Sequence, residues 1–416
     1  MKNKEISLIK GFICLFMITI ACLICKEVRP VQFKNKTYVV IGASAAGRSA
    51  VKELTREASS SDRIIFISKE ESYDKTELKK YIKKNHLPLL SPVKQKNAPI
   101  EVVSATVMHI DRNNKEVICE DGLRIAYDCL FLGIGTEPII PVIAGIDEVE
   151  GVFGYHTLDD ARAIKQYMQS HSIKSIAVMG GGLASLEITA NLAKKGYVVH
   201  HCVRGPRILR DKADNGGAQY LQNIFSKNNV QWHFNSEVTR INSINCSIKG
   251  IILNNKDEIA VDMMIYAIGS NVNTHLVDEL ILNKGGFSVD HYMCTSDPYI
   301  YTGGDAACVW DYVNQSYVRG GKWSLAKEQG CCAAKNMCGK KTPYKGVACV
   351  NFAQYFKTLV AFSGPIDNPP HDYTCATKMH KSLLLRITDS FLETKNGGYR
   401  IFLEKSGQLK GFPESG

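Results

Sequence analysis

The 416-residue chain is 45% hydrophobic and 22% charged, which excludes a disordered or low-complexity protein and gives room for two or three domains. Its formal net charge of +10 would suit an acidic partner, but residues 1–36 carry seven Lys or Arg against two Glu, half of the excess. What remains is a mildly basic surface, which argues against a nucleic-acid groove.

Residues 11–25 are an uncharged apolar run preceded by Lys2, Lys4 and Lys10, the pattern of a signal peptide or membrane anchor for residues 1–30. The run is short for a bilayer core, which needs roughly 20 apolar residues. The expected membrane attachment through 11–25 therefore stands beside two alternatives: cleavage and secretion, or a misassigned start and a cytoplasmic chain.

The first strand, 38–41, stops at Gly42-Ala43-Ser44-Ala45-Ala46-Gly47, and the chain restarts as a helix near Ala45. Such a turn aims backbone N–H groups and the positive end of the helix at a pyrophosphate, and small residues let the phosphate approach. A second strand, 63–68, is followed by Glu70, with Glu71 as its rival, placed to hold an adenosine ribose. The strand 127–132 ends in Gly133-Ile134-Gly135-Thr136-Glu137-Pro138, a turn that lets the chain pass close to a bound cofactor before it leaves the domain.

A second unit follows. The strand 174–179 runs into Gly180-Gly181-Gly182-Leu183-Ala184-Ser185, then a helix over 183–195, Gly196 as its cap, and a strand over 197–203. Val203 stands where an acid would accept from a ribose 2′-OH, and Arg204 and Arg207 follow as donors for a 2′-phosphate. These residues favour NADPH, with NADH the alternative. Two such turns imply two dinucleotides, and the usual reason to hold both is to pass a hydride from a nicotinamide to a flavin.

The chain holds fourteen cysteines, none of them between Cys25 and Cys119, and beyond the apolar N-terminal run there is no Cys-x-x-Cys and no metal-ligand spacing. They read as buried thiols, and no metal site is expected. The adjacent Cys331-Cys332 lies in an alanine-rich stretch, 329–337, that reads as a packed helix. Toward the end, 382–388, 398–405 and 409–412 alternate like antiparallel strands.

Over about residues 37–362 this order of segments resembles the FAD-dependent pyridine-nucleotide oxidoreductases with two dinucleotide-binding domains, in the branch of rubredoxin, ferredoxin and nitrite reductases and apoptosis-inducing-factor relatives. The motifs that carry the resemblance are both glycine turns, 73–80, Gly133 to Pro138, Glu187, Ala267-Ile268-Gly269, and above all Thr302-Gly303-Gly304-Asp305-Ala306. The resemblance implies FAD held by Gly42, Ser44, Ala46, Gly47, Glu70, Gly135, Gly304 and Asp305, with the Asp305 carboxylate on the flavin's ribityl chain. Trp323, Gln329 and Gly330 look like the helix that covers the flavin. Gly180, Gly182, Ser185, Arg204, Arg207 and Gly269 would serve the nicotinamide dinucleotide, and Lys80 and Glu187 would stand near the reacting rings. The family's pattern is altered at Ser44, at Lys75-Thr76-Glu77 and at Val272-Asn273.

The expected fold is α/β: two Rossmann-like dinucleotide-binding domains, the second inserted in the first, plus a short α+β C-terminal domain. The expected spans are 31–150 and 261–340 for the FAD domain, 151–260 for the NAD(P) domain and 341–416 for the interface domain. The expected activity takes hydride from NAD(P)H onto FAD and passes electrons to a ferredoxin- or rubredoxin-like protein or a quinone, without a redox-active cysteine. A monomer and a homodimer are equally compatible. Two other classes stand beside it: a binding protein of the apoptosis-inducing-factor kind, with a basic face at Lys335, Lys340, Lys341 and Lys345, and a degenerate flavoprotein without turnover.

Overall fold

The computed structural model describes residues 35–70, 72–74, 81, 89–213, 215–311, 316–320, 322–347, 351–356 and 358–362. Residues 1–30, Glu71, Lys80 and the three expected C-terminal strands lie outside them. One expectation is corrected here. Among the described residues no helix is long and apolar enough to cross a membrane, and the expected membrane attachment through residues 11–25 is withdrawn.

The first unit begins with β1 (Thr37–Ile41), α1 (Ala45–Glu57), β2 (Arg63–Ile67) and β3 (Ile100–Val103). A small antiparallel sheet of β4 (Val107–Asp111), β5 (Glu116–Cys119) and β6 (Arg124–Ala126) follows, and β7 (Cys129–Leu132) returns beside β1. The chain then builds a second unit: β8 (Val152–Gly154), α2 (Leu158–Ser170), β9 (Ser175–Met179), α3 (Leu183–Lys194), β10 (Val198–Val203), α4 (Asn215–Ser226) and β11 (Val230–Phe234). Its meander of β12 (Val238–Ile244), β13 (Ser247–Leu253) and β14 (Glu258–Ala260) leads to β15 (Met263–Tyr266). The chain re-enters the first unit as β16 (Ile300–Thr302), makes the hairpin β17 (Ala307–Asp311) and β18 (Ser316–Arg319), and runs through α5 (Trp323–Met337) to a last hairpin, β19 (Asn351–Tyr355) and β20 (Thr358–Phe362).

Each unit holds a parallel five-stranded sheet, ordered β16-β7-β1-β2-β3 in the first and β11-β10-β9-β15-β8 in the second. The second unit is thus inserted between β7 and β16 of the first. It reaches past the expected boundary at 260, because β15 pairs with β9 and β8. The order reverses beside β1 in the first sheet and beside β9 in the second, and the crevice at such a switch point is where α/β sheets bind ligands.

Sheet strands buried on both faces need long apolar runs, and β1, β2, β7 and β9 supply them. One face of the first sheet is covered by α1 and α5, the other by β4 to β6. The two helices cross where Gly330 meets Ala46; a Cβ on Gly330 would lie 2.1 Å from the Ala46 carbonyl oxygen. The hairpin β19–β20 docks on the second unit, adding Ala353, Tyr355 and Val360 to its core. Lys335 and Lys340, half of the expected basic face, pair with Glu53 and Glu57 of α1.

Candidate functional site

At the first switch point β1 ends in Gly42, whose φ of +94° favours glycine. A Cβ there would lie 2.2 Å from the Gly133 oxygen, and one on Gly47 would lie 1.9 Å from the Gly42 oxygen. Backbone therefore packs on backbone, and the chain after β7 touches the turn after β1. Ser44 is the N-cap of α1 but makes no side-chain cap bond, so the first-turn N–H groups stay available to an anion.

A cleft of about 850 Å³ opens here, within the usual size of a cofactor site. Glu70, just past β2, lies at its wall with Gly42, Ser44, Ala46, Gly135, Gly304, Asp305 and Trp323. Thr302 donates its hydroxyl to the Leu132 oxygen at 2.7 Å, holding β16 on β7. The following turn is pinned by the buried Gln329, whose Oε1 accepts the Gly304 N–H at 2.7 Å and whose Nε2 donates to the Tyr344 hydroxyl at 3.2 Å. Gln329 thereby sets Asp305 on the cleft wall. A helix N-terminus without a side-chain cap bond, a backbone cradle that a Cβ would fill, an acid past β2 and the Asp305 carboxylate along the same cleft fit an extended dinucleotide.

His156 also lines this cleft, and no motif in the sequence marks it. Its Nε2–H donates to the Thr136 oxygen at 2.7 Å, joining the strand into the second unit to the glycine turn leaving the first. Among the described lining residues there is no cysteine, and residues 26–118 contain none.

The second unit repeats the device. Gly180 has φ +139°, and a Cβ there would lie 2.3 Å from the Ala267 oxygen, just past β15. Gly182 is the N-cap of α3. Ser185, expected at the phosphates, is buried, and its hydroxyl donates to the Gly182 oxygen at 2.9 Å; it braces the turn from within. Gly269, with φ +121°, accepts the Ile139 N–H at 3.0 Å where the chain passes back to the first unit.

The two arginines separate. Arg204 stands at the end of β10 with its side chain 86% exposed and Glu237 3.7 Å away. Arg207 turns inward and donates to the carbonyl oxygens of Ala213 and Arg210, which commits its guanidinium to closing the 207–213 loop. Local carbonyls thus take part of the Arg207 guanidinium, while that of Arg204 stands exposed at the end of β10.

Glu187 lies on α3 one turn past the glycines. Burial first, and then the Glu187 charge, hold Tyr155 and Tyr355 far above the normal tyrosine range. The buried Tyr355 hydroxyl has no hydrogen-bond partner among the described residues. Lys80, expected beside Glu187, lies outside the described residues.

Beneath the Gly180 turn the fully buried His201 is pushed down to about 4, mainly by burial, with His233 adding to the effect and the Gly180 carbonyl opposing it. The neighbouring pair His200 and His233, 3.2 Å apart, is also lowered, chiefly by burial, while Asp257 raises His233. Folded His201 stays neutral where the unfolded chain takes up a proton, so stability falls as pH drops from about 6.5 toward about 4. The His201 contribution lost over that window is on the order of 3 kcal/mol. Denaturant unfolding of wild type and His201→Gln across this range checks it: the variant should show the shallower pH dependence, and parallel curves would contradict it.

Residues 36–330 match the pyridine nucleotide-disulphide oxidoreductases. The chain belongs to that family. It is 29% identical to an NADH oxidase of Methanocaldococcus jannaschii over 58% of this chain and 55% of that protein. It is 26% identical to the ferredoxin–NAD(+) reductase component of a 3-phenylpropionate/cinnamic acid dioxygenase of Photorhabdus laumondii, over 75% of this chain and 80% of the other. Its fold matches a ferredoxin reductase of Rhodopseudomonas palustris with a TM-score of 0.74 and 23% identity, covering 82% and 86% of the two chains. The chain spans about half the length of the first curated relatives it matches.

Proposed function

We propose that this protein is a flavoprotein oxidoreductase that uses NAD(P)H, holds FAD at the first switch point and delivers electrons to a small redox protein. The observation that carries the reading is the repeated device: Gly42 against Gly133 and Gly180 against Ala267, one dinucleotide cradle per unit. Bound FAD would accept a hydride and release its electrons singly or as a pair.

The chain's own residues bind and orient. The α1 N-terminus and the Gly42 turn hold the pyrophosphate, Glu70 the adenosine ribose and Asp305 the ribityl chain, with Trp323 at the mouth. The Gly180 turn and the α3 N-terminus hold the nicotinamide dinucleotide. Glu187, on α3 near Tyr155 and Tyr355, is the acid this reading sets near the reacting rings. Hydride transfer needs alignment rather than an acid or base from the protein. The described residues that line the cleft include no cysteine to receive electrons, which supports an external acceptor, and the ferredoxin reductase relative supports a ferredoxin-like one. Faster NAD(P)H-driven reduction of a ferredoxin or rubredoxin than of a soluble quinone is the expected result; reduction of the quinone alone would reassign the acceptor.

Arg204 sets the nucleotide preference in this reading. Arg204→Ala should raise KM for NADPH about tenfold or more, the worth of a charge-assisted phosphate contact, while KM for NADH stays within about twofold. Steady-state kinetics with both nucleotides checks this, and equal effects would remove the NADPH preference.

A further inference from the structure

The two glycine turns differ at the position that closes them. Gly47 closes the first, with its Cα against the Gly42 carbonyl, and any Cβ there would lie 1.9 Å from that oxygen. In the second turn the same position is Ser185, which has a Cβ, so the helix cannot pack against the Gly180 carbonyl in the same way. That carbonyl is taken by His201 instead, whose Nε2 lies 2.6 Å from it.

The registers make the exchange visible. β1 pairs Val40 with Phe66 and Ile41 with Ile67, while β9 pairs Val178 with His201 and Met179 with Cys202. The Gly42 and Gly180 N–H groups donate to the matching oxygens of Ile67 and Cys202. Where the first unit has the apolar Phe66, the second has a fully buried histidine. A buried imidazole is tolerated only when its nitrogens are satisfied, and both are. A carbonyl only accepts, so Nε2 carries the hydrogen; Nδ1 of the neutral ring then accepts from the Thr189 hydroxyl at 2.9 Å. One ring ties β10, the turn and the interior of α3 together. In a planar trans peptide the C=O and the next N–H point in opposite directions, so fixing the Gly180 carbonyl inward fixes the Gly181 N–H outward.

We propose that His201, oriented by Thr189, is a positioning residue for the nicotinamide-dinucleotide site: it holds the Gly180–Gly181 peptide so that its outward N–H meets the pyrophosphate. This rests on the function proposed above. It takes over the task of the third glycine, and it specifies a neutral, single-tautomer histidine.

The test is calorimetric titration of the full-length flavin-loaded chain with NADP⁺ and with NAD⁺, for wild type, His201→Phe and Thr189→Val. His201→Phe copies the first unit's residue and should weaken binding about tenfold; Thr189→Val removes only the hydroxyl and should weaken it about threefold to fivefold. Turnover at saturating nucleotide and flavin content should be unchanged. In ¹⁵N-histidine spectra His201 should appear as the Nε2–H tautomer in wild type and lose that single signature in Thr189→Val. Wild-type affinity in both variants would overturn the positioning role alone. If His201→Phe fails to fold, Thr189→Val decides the matter by the same readouts. Absence of dinucleotide binding by the unaltered chain would remove the functional reading and this role together.

Discussion

Asp305→Ala is expected to leave the purified protein with less than about a tenth of its flavin, because one charge-assisted contact is worth roughly tenfold to a hundredfold in affinity. Asp305 lies in the short 3₁₀ turn Gly304–Ala306, on the wall of the cleft. The turn keeps its place without the carboxylate, since the Gly304 N–H is held by Gln329 and β16 by Thr302. The substitution therefore removes a contact rather than a fold, and the melting temperature measured with flavin removed from both proteins should match wild type. Absorbance of the purified variant gives the flavin content. Full retention would mean that the carboxylate does not hold the flavin.

Gly330→Ala is expected to act through the scaffold, and its effect on stability is the largest foreseen. Its new methyl would sit 2.1 Å from the Ala46 oxygen and 3.1 Å from the Ala50 nitrogen, and neither is a flexible side-chain end that could swing aside. α1 and α5 must part along the crossing that covers one face of the first sheet. Forcing atoms into a packed core costs typically 1–3 kcal/mol and occasionally more; here about 3 kcal/mol or more is expected because the obstacle is backbone. That corresponds to a fall in melting temperature on the order of 10 °C. Ala46 also lines the cleft, so flavin should be lost along with stability. A thermal melt within about 2 °C of wild type would show that the helices can separate at little cost.

Both glycine turns could be read from the chain because everything that makes them is local: an apolar run, small residues and a restarting helix within about a dozen positions. The strands followed closely, with β9 and α3 ending within a residue of where the pattern placed them. Asp305 was legible only through its motif, since what positions it is Gln329, on a helix 24 residues later. Ser185 and Arg207 were legible as residues but not as contacts. Their partners are backbone oxygens three to six positions away, and whether a side chain turns to such an oxygen or to a ligand depends on loop geometry that composition does not carry. His201 reads as one more residue of a strand, because its partners at Gly180 and Thr189 come from the neighbouring strand's turn and the covering helix. The inserted unit's extension through β15 was missed for the same reason: its membership is decided by pairing with β9 and β8 rather than by its own pattern.

In the proposed function this chain holds FAD and reduces it with a nicotinamide dinucleotide. An anaerobic absorbance titration of the purified full-length protein, with NADPH and separately with NADH, tests it most directly. A bound-flavin band at about 450 nm is expected to bleach on addition of nucleotide, at lower concentrations of NADPH than of NADH. A protein that carries no flavin and takes up none on reconstitution with FAD, or whose flavin band neither nucleotide bleaches, would contradict it.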